Sequence, residues 1–232
     1  LFEPADVVGL AFPTYAFGPP ALVRRFLKVL PARPDSYVFA VATCASKAGA
    51  SVAMVERELR RRGLKLSAGW VVRMPENYPP MGGAPPQEKC DRILADADAR
   101  LVELERQLAE RPADAVERPG ALARGLCSWI NGLAVSYFSK SANKFYATEA
   151  CTQCGRCMQI CPVTNIVSDE SGRPVWQKHC QQCFACLHFC PTEAIQFGSK
   201  SPGQPRYHHP AVTVADMLAQ GRPPEAAAGQ AS

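Results

Sequence analysis

The sequence predicts two architectures in succession: an α/β layer with a parallel, helix-covered sheet in the amino-terminal half, and a small α+β domain with an internal repeat nearer the carboxyl terminus. Three observations predict this. Apolar runs alternate with amphipathic stripes between residues 7 and 72; four cysteines and a proline recur 29 residues downstream; and a Pro/Gly-rich loop at 75–86 and a break at 111–119 interrupt the pattern. The 232 residues are enough for one large domain or two small ones.

Residues 7–12, Val-Val-Gly-Leu-Ala-Phe, form the uninterrupted apolar run expected of a strand buried on both faces. The loop 13–20 follows, and then Leu22, Val23, Phe26, Leu27 and Leu30 share one helical stripe opposite Arg24, Arg25 and Lys28. Residues 37–43 predict a second buried strand, 51–62 a second helix with Val52, Val55 and Leu59 inward, and 65–72 a third strand. The order β-α-β-α-β argues for a parallel sheet, whose ligands bind beyond the carboxyl ends of its strands. That places attention on loops 13–18 and 43–49 and on the loop after Met74.

After the 75–86 loop, Cys90, Ile93, Leu94, Ala97, Leu101, Leu104 and Leu108 mark one face of a long charged helix. Residues 121–139 predict another helix, with Cys127, Trp129, Ile130, Leu133 and Phe138 available to pack against either domain. The Arg60-Arg61-Arg62 run reads as the last turn of the second helix, facing its dipole and ending at Gly63. Cys90 and Cys127 are read as packed thiols.

The repeat carries the chemistry. Cys151, Cys154, Cys157 and Cys161 recur as Cys180, Cys183, Cys186 and Cys190, and Pro162 and Pro191 follow each set. Each half reads C-x₂-C-x₂-C-x₃-C-P, the spacing that holds paired [4Fe–4S] clusters, with the fourth cysteine of each run ligating the cluster of the other half. Three thiolates at this spacing wrap a tight loop around a cubane so that backbone N–H groups face its sulfides, and the proline turns the chain away. The first cluster is thus assigned Cys151, Cys154, Cys157 and Cys190, and the second Cys180, Cys183, Cys186 and Cys161. Ile166 and Ile195 would pack on the two-fold axis, and Phe184 stands where the first half has Gly155, so the two clusters should differ in solvation. Zinc favours paired C-x₂-C units, and a cytosolic setting disfavours disulfides. His179 and His188 are read as neighbours that tune a cluster, and His208-His209 as unliganded.

These residues resemble the bacterial two-cluster ferredoxins over about residues 144–198, with all eight ligands and both prolines matching. The resemblance implies short strands at 144–148 and 175–178 and a brief helix after each Cys-Pro. The amino-terminal half is similar to the carboxyl-terminal portion of a flavodoxin. There, the loops after the third and fourth strands hold the flavin ring, and here Thr14, Tyr15, Phe17, Thr43, Cys44, Ala45 and Gly49 occupy those places. Tyr15 and Phe17 serve equally as core aromatics, and Cys44 as an inert small hydrophobe. The family's phosphate loop follows its first strand, whereas this chain begins just before the third, so the expectation is a truncated domain with an exposed apolar edge at residues 7–12. The fold class is therefore an incomplete α/β flavodoxin-like parallel sheet followed by an α+β two-[4Fe–4S] ferredoxin domain. Its expected divisions are 1–85 (lacking the first two strands), a helical connector at 86–139, the ferredoxin domain at 140–200, and a tail at 201–232, disordered from 223.

The combined order resembles the fused flavodoxin–ferredoxin proteins of anaerobic bacteria, which implies an electron-transfer protein passing single electrons through two clusters, to or from a flavin such as FMN. A redox protein would be the donor or acceptor. Two alternatives stand beside it: a flavin-dependent oxidoreductase using the clusters as its relay, which needs an acid or base where loop 13–18 offers only Tyr15, and a partner-docking module whose clusters do not reduce reversibly. The formal charge of +5 falls to about +1 if each thiolate-ligated cluster carries roughly −2, and basic residues are scattered, which argues against a nucleic-acid partner. No apolar run approaches the ~18 residues of a membrane span, and Leu1-Phe2-Glu3-Pro4 is unlike a secretory signal, so the expected location is cytoplasmic.

Overall fold

The computed structural model describes residues 5–219. They pack as two units. One comprises the described part of Leu1–Glu76 with Pro85–Phe138, and the other Asn77–Ala84 with the described part of Ser139–Ser232. The pieces group differently from the divisions the sequence suggests. The stretch expected as a connector packs inside the first unit up to Phe138, and the tail, as far as it is described, belongs to the second. The segment 223–232, expected to be disordered, lies outside the described residues.

In the first unit β1 (Ala5–Pro13), β2 (Ala32–Cys44), β3 (Leu66–Arg73) and the two-residue β4 (Ala115–Val116) form a four-stranded sheet in that order. All three pairings are parallel. Helices α1 (Ala21–Leu27), α2 (Ser51–Arg60) and α3 (Gln87–Ala109) supply the crossovers. Side chains of β2 alternate between two cores. Val38, Ala40 and Ala42 meet Leu27 of α1 and Val52, Val55 and Leu59 of α2, whereas Tyr37, Phe39 and Val41 join Trp70, Ala97 and Leu104 under α3. The sheet therefore has helices on both faces, which is why β2 and β3 read as nearly continuous apolar runs.

One expectation is corrected here. The run 7–12 is buried on one face only: β1 is the edge strand, Leu10 and Phe12 point into the α1/α2 core, and Val7 is 37% exposed. Among the described residues the α3 core draws on β2, β3 and β4 and on none of β1, so the other face of this edge strand stays open.

The arginine run is also more specific than a solvated helix end. Arg60 pairs with Glu56 at 2.9 Å and Arg61 with Glu58 at 2.7 Å, while Arg62 donates Nη1–H to the Leu27 and Leu30 carbonyls, both at 2.8 Å. Arg62 thereby satisfies acceptors left over at the end of α1.

Helix α4 (Ala121–Lys140) turns a narrow face inward. Asn131 is fully buried, and Phe138 meets Tyr15 edge-on at 6.4 Å. Trp129 and Leu133, expected to pack, are 65% and 57% exposed. They sit two residues either side of Asn131, which at 100° per residue puts them on the opposite side of the helix.

The second unit repeats itself in backbone as well as in sequence. Strand β5 (Phe145–Ala147) pairs antiparallel with β8 (Ile195–Phe197), and β6 (Ile166–Ser168) with β7 (Pro174–Trp176). A shift of 29 residues converts β5 into β7 and β6 into β8. The same shift relates the one-turn helices α5 (Arg156–Gln159) and α6 (Ala185–His188). It also relates three pairs of left-handed residues: Gln153 and Gln182, Gly155 and Phe184, Thr164 and Glu193. Ile166 and Ile195 share one core with Phe145, Phe184 and Phe197, and the Phe145 and Trp176 rings stack at 5.5 Å.

The brief helices are not where the resemblance placed them. They precede each Cys-Pro and carry the third cysteine of each run. After Pro162 and Pro191 the chain instead makes a turn through the left-handed Thr164 and Glu193. A single turn has no periodicity by which sequence could locate it.

Candidate metal centres

Each cysteine loop is built by the same local device. The strand delivers the first cysteine, two left-handed residues reverse the chain, and a one-turn helix starts on the second of them and presents the third cysteine. Glycine takes the left-handed position freely in the first half, at φ 73°; in the second half Phe184 adopts it at φ 57°, held by a core in which its ring is 2% exposed.

The eight cysteines fall into two groups of four. Cys151, Cys154, Cys157 and Cys190 line one cavity; Cys161, Cys180, Cys183 and Cys186 line another, with Phe184, Trp176 and Asn165. In each, three cysteines come from one run and the fourth from the other. None of the eleven cysteines is in a disulfide.

Backbone amides face the sulfurs. Asn165 N–H donates to Cys161 Sγ at 3.2 Å and Gln182 N–H to Cys180 Sγ at 3.3 Å. Burial pushes the Cys157 and Cys183 thiols up to about 11 and those of Cys180 and Cys186 upward. Cys190 goes the other way: burial opposes ionisation, but the amides of Ile195, Thr192 and Ala194 and the Thr192 hydroxyl outweigh it. Thiolates gathered in such surroundings form when a metal takes the place of the protons, so loading releases protons.

The surroundings fit an iron–sulfur group. Asn165 Nδ2 lines the second cavity as a buried donor without an acceptor, Trp176 Nε1 stands buried beside the Cys186 sulfur, and Arg206 Nη1 is likewise buried without a hydrogen-bond acceptor. Buried donors are ordinarily satisfied, and inorganic sulfide and thiolate sulfur are acceptors of the kind that hydrogen-bond around such groups. The two sites differ as the Gly155/Phe184 exchange implies. Phe184 packs on Tyr78, Phe145 and Phe197 with ring centroids 5.2–5.3 Å apart and forms part of the wall of the second cavity; the first has only Gly155 there, with Met158 Cε 3.6 Å from where a Cβ would stand.

Residues 143–191, which span all eight cysteines and both prolines, match the family model described as a 4Fe-4S dicluster domain. This segment is a ferredoxin-like iron–sulfur domain. The chain as a whole is a four-stranded parallel α/β sheet with helices joined to that dicluster domain. No curated protein matches the chain. Among the described residues, no helix is long and apolar enough to cross a membrane.

The histidines near the dicluster domain's cysteines are engaged with backbone. His179 Nε2 lies 2.9 Å from the Val163 carbonyl, and His188, pushed down to about 4 by burial, is bonded through both ring nitrogens to backbone groups. His208 stacks on Phe189 at 4.4 Å.

In the first unit, loops 13–18 and 43–49 do converge at the carboxyl ends of β1 and β2, whereas most of the loop after Met74, Asn77–Ala84, packs in the second unit. Thr14 N–H donates to the Thr43 carbonyl at 2.7 Å, the Thr14 and Ser51 hydroxyls are 2.9 Å apart, and Ala50 N–H donates to the Phe17 carbonyl at 2.8 Å. Tyr15 and Gly18 close a tight turn through left-handed Ala16 and Phe17. Gly49 is required: at φ 56° its hydrogen faces Phe17, whose Cβ would stand 2.4 Å from an added Cβ. Phe17 is 39% exposed, whereas Cys44 is buried and its thiol is pushed up by burial. Ala45 contributes its carbonyl to Arg73 Nε at 3.1 Å. Sequence reasoning missed Asn131, which donates Nδ2–H to the Tyr15 carbonyl at 2.7 Å and whose Oδ1 is buried without a partner. A polar residue amid the apolar pattern of 121–139 was its only signal.

Proposed function

We propose that this chain is an electron carrier that passes single electrons through two [4Fe–4S] clusters. The first is held by Cys151, Cys154, Cys157 and Cys190, and the second by Cys180, Cys183, Cys186 and Cys161. The observation that carries the reading is the crossed grouping: each cavity takes its fourth cysteine from the other run, as the spacing of paired clusters requires. A bound cluster exchanges one electron at a time. Four thiolates leave its irons no open position for substrate, which favours electron transfer over Lewis-acid catalysis. The protein supplies amide and indole donors that stabilise negative charge, and an aromatic wall beside the second site.

The finer reading places the ring of FMN at Thr14, Tyr15, Phe17, Thr43, Cys44, Ala45 and Gly49. It is supported by the convergence of these loops where ligands of parallel sheets bind. The clusters would then exchange electrons with a flavin and with a separate redox protein.

Anaerobic reconstitution with iron and sulfide, followed by metal counting and EPR of the reduced protein, tests the cluster reading. About eight irons and reversible reduction are expected. Clusters that assemble but do not reduce reversibly would favour a docking module. Titration with FMN tests the flavin reading separately, through quenching of flavin fluorescence.

A further inference from the structure

The segment after Gly198 lies beyond the dicluster match and reads in sequence as a polar, Pro-rich tail. It is docked instead. Ser201 is fully buried; its hydroxyl accepts from Phe197 N–H at 2.6 Å and donates to Gln196 Oε1 at 2.8 Å. Three successive residues then grip the chain around Cys190. Arg206 Nη2 donates to the Ile195 carbonyl at 2.9 Å and the Glu193 carbonyl at 3.2 Å; Tyr207 N–H donates to His188 Nδ1 at 3.2 Å; and the His208 ring stacks on Phe189. Farther on, Val212, Val214, Met217 and Leu218 pack on Ile160, Ala185, Phe189 and Cys183.

Arg206 is the unusual member. Its side chain is 9% exposed, its Nη1 has no hydrogen-bond acceptor, and its Nε has only a long ion pair, 3.9 Å, with Glu193, itself 68% exposed. A desolvated guanidinium with unpaired donors is costly unless negative charge lies nearby. Burial pushes it down while Glu193, Cys190 and Cys186 act to hold it charged.

We propose that Arg206, fixed by this carboxyl-terminal arm, is the counter-charge of the clusters and acts foremost on the one that Cys190 ligates. The inference rests on the cluster reading above. A thiolate-ligated cluster carries net negative charge and gains one more on reduction. A fixed cation beside it favours the reduced state and raises the midpoint potential. Because a guanidinium stays protonated, this contribution does not vary with pH.

The test uses the full chain, reconstituted anaerobically as wild type, Arg206→Met and Arg206→Lys, with iron and sulfide counted and both midpoints followed by EPR-monitored titration. Arg206→Met should hold both clusters with one midpoint displaced to more negative potential, and Arg206→Lys should stay near wild type. An unchanged midpoint in Arg206→Met overturns the inference. So does an Arg206→Lys midpoint as low as that of the methionine variant. If Arg206→Met fails to hold iron, the lysine variant decides: full clusters at the wild-type midpoint support the charge, and lost clusters show a role in shape alone. A wild-type chain without clusters would fail the electron-transfer reading itself.

Discussion

The imidazole of His188 donates Nε2–H to the carbonyl of Asn77, 111 residues upstream, at 2.8 Å. Its Nδ1 accepts the Tyr207 amide at 3.2 Å. Neutral imidazole satisfies both bonds at once, and burial, which pushes the group down to about 4, keeps it neutral at ordinary pH. His188 thereby ties the Asn77–Ala84 segment and the carboxyl-terminal arm to the helix that carries Cys186. Replacing it with leucine strands a carbonyl and an amide, so His188→Leu should lower the stability of the second unit by about 2–4 kcal/mol. Denaturant unfolding of the holoprotein checks this, and a loss under ~0.5 kcal/mol would refute it.

Glu56 joins α2 to the 111–119 segment through two 2.8 Å bonds from Arg118. Hydrogen bonding to Arg118 holds the Glu56 carboxyl below its usual range, with Arg60 and Arg124 assisting. A carboxyl whose folded-state value is depressed stabilises above its unfolded value, and the stabilisation is lost as pH falls through the folded one. Glu56→Gln should therefore cost roughly 0.5–1 kcal/mol at pH 7, as partly exposed pairs do. The gap to wild type should close on acidification below pH ~4.5, the ordinary value of a glutamate carboxyl. Urea melts at several pH values read this out; a gap that widens in acid would contradict it.

Two left-handed glycines of the first unit separate backbone strain from steric conflict. At Gly63, φ 71°, an added Cβ meets nothing within 4 Å, whereas at Gly49 it meets Phe17 at 2.4 Å. Gly63→Ala should cost about 1 kcal/mol and Gly49→Ala about 2–4 kcal/mol. If the loops hold a flavin ring, Gly49→Ala should also weaken FMN binding while Gly63→Ala leaves it unchanged. Equal stability losses would show that the contact between the two loops gives way.

Phe184 sets the two candidate metal centres apart. Phe184→Gly relaxes a left-handed residue but empties a fully packed aromatic site, for a net loss of about 2–4 kcal/mol. In air the second cluster should bleach several-fold faster in the variant, with the first unaffected. Loss of both clusters at the wild-type rate would show that the Phe184 ring does not shield the second site.

Crossed ligation makes a sharper prediction. Cys161→Ala should impair the cluster of Cys180, Cys183 and Cys186, and Cys190→Ala that of Cys151, Cys154 and Cys157. The EPR signals of the two variants should be complementary; the reverse assignment would show uncrossed ligation.

Much of this was legible in the sequence for physical reasons. Strands covered on both faces leave long apolar runs, so residues 37–43 fall inside β2, and the run 65–72 meets β3 from its first residue, Leu66. The stripe from Cys90 to Leu108 lies on α3, and the 29-residue cysteine repeat extends to strands and left-handed residues. What was not legible depends on partners remote in sequence. Asn131 matters through a carbonyl 116 residues away. Arg206 lies in a stretch with neither period nor motif, and only folding brings it beside Glu193 and Ile195.

The central claim is tested most directly by metal analysis of the anaerobically purified full chain, with iron, acid-labile sulfide and zinc measured on one sample. The account predicts about eight irons and eight sulfides per chain with negligible zinc. Stoichiometric zinc without sulfide would contradict it.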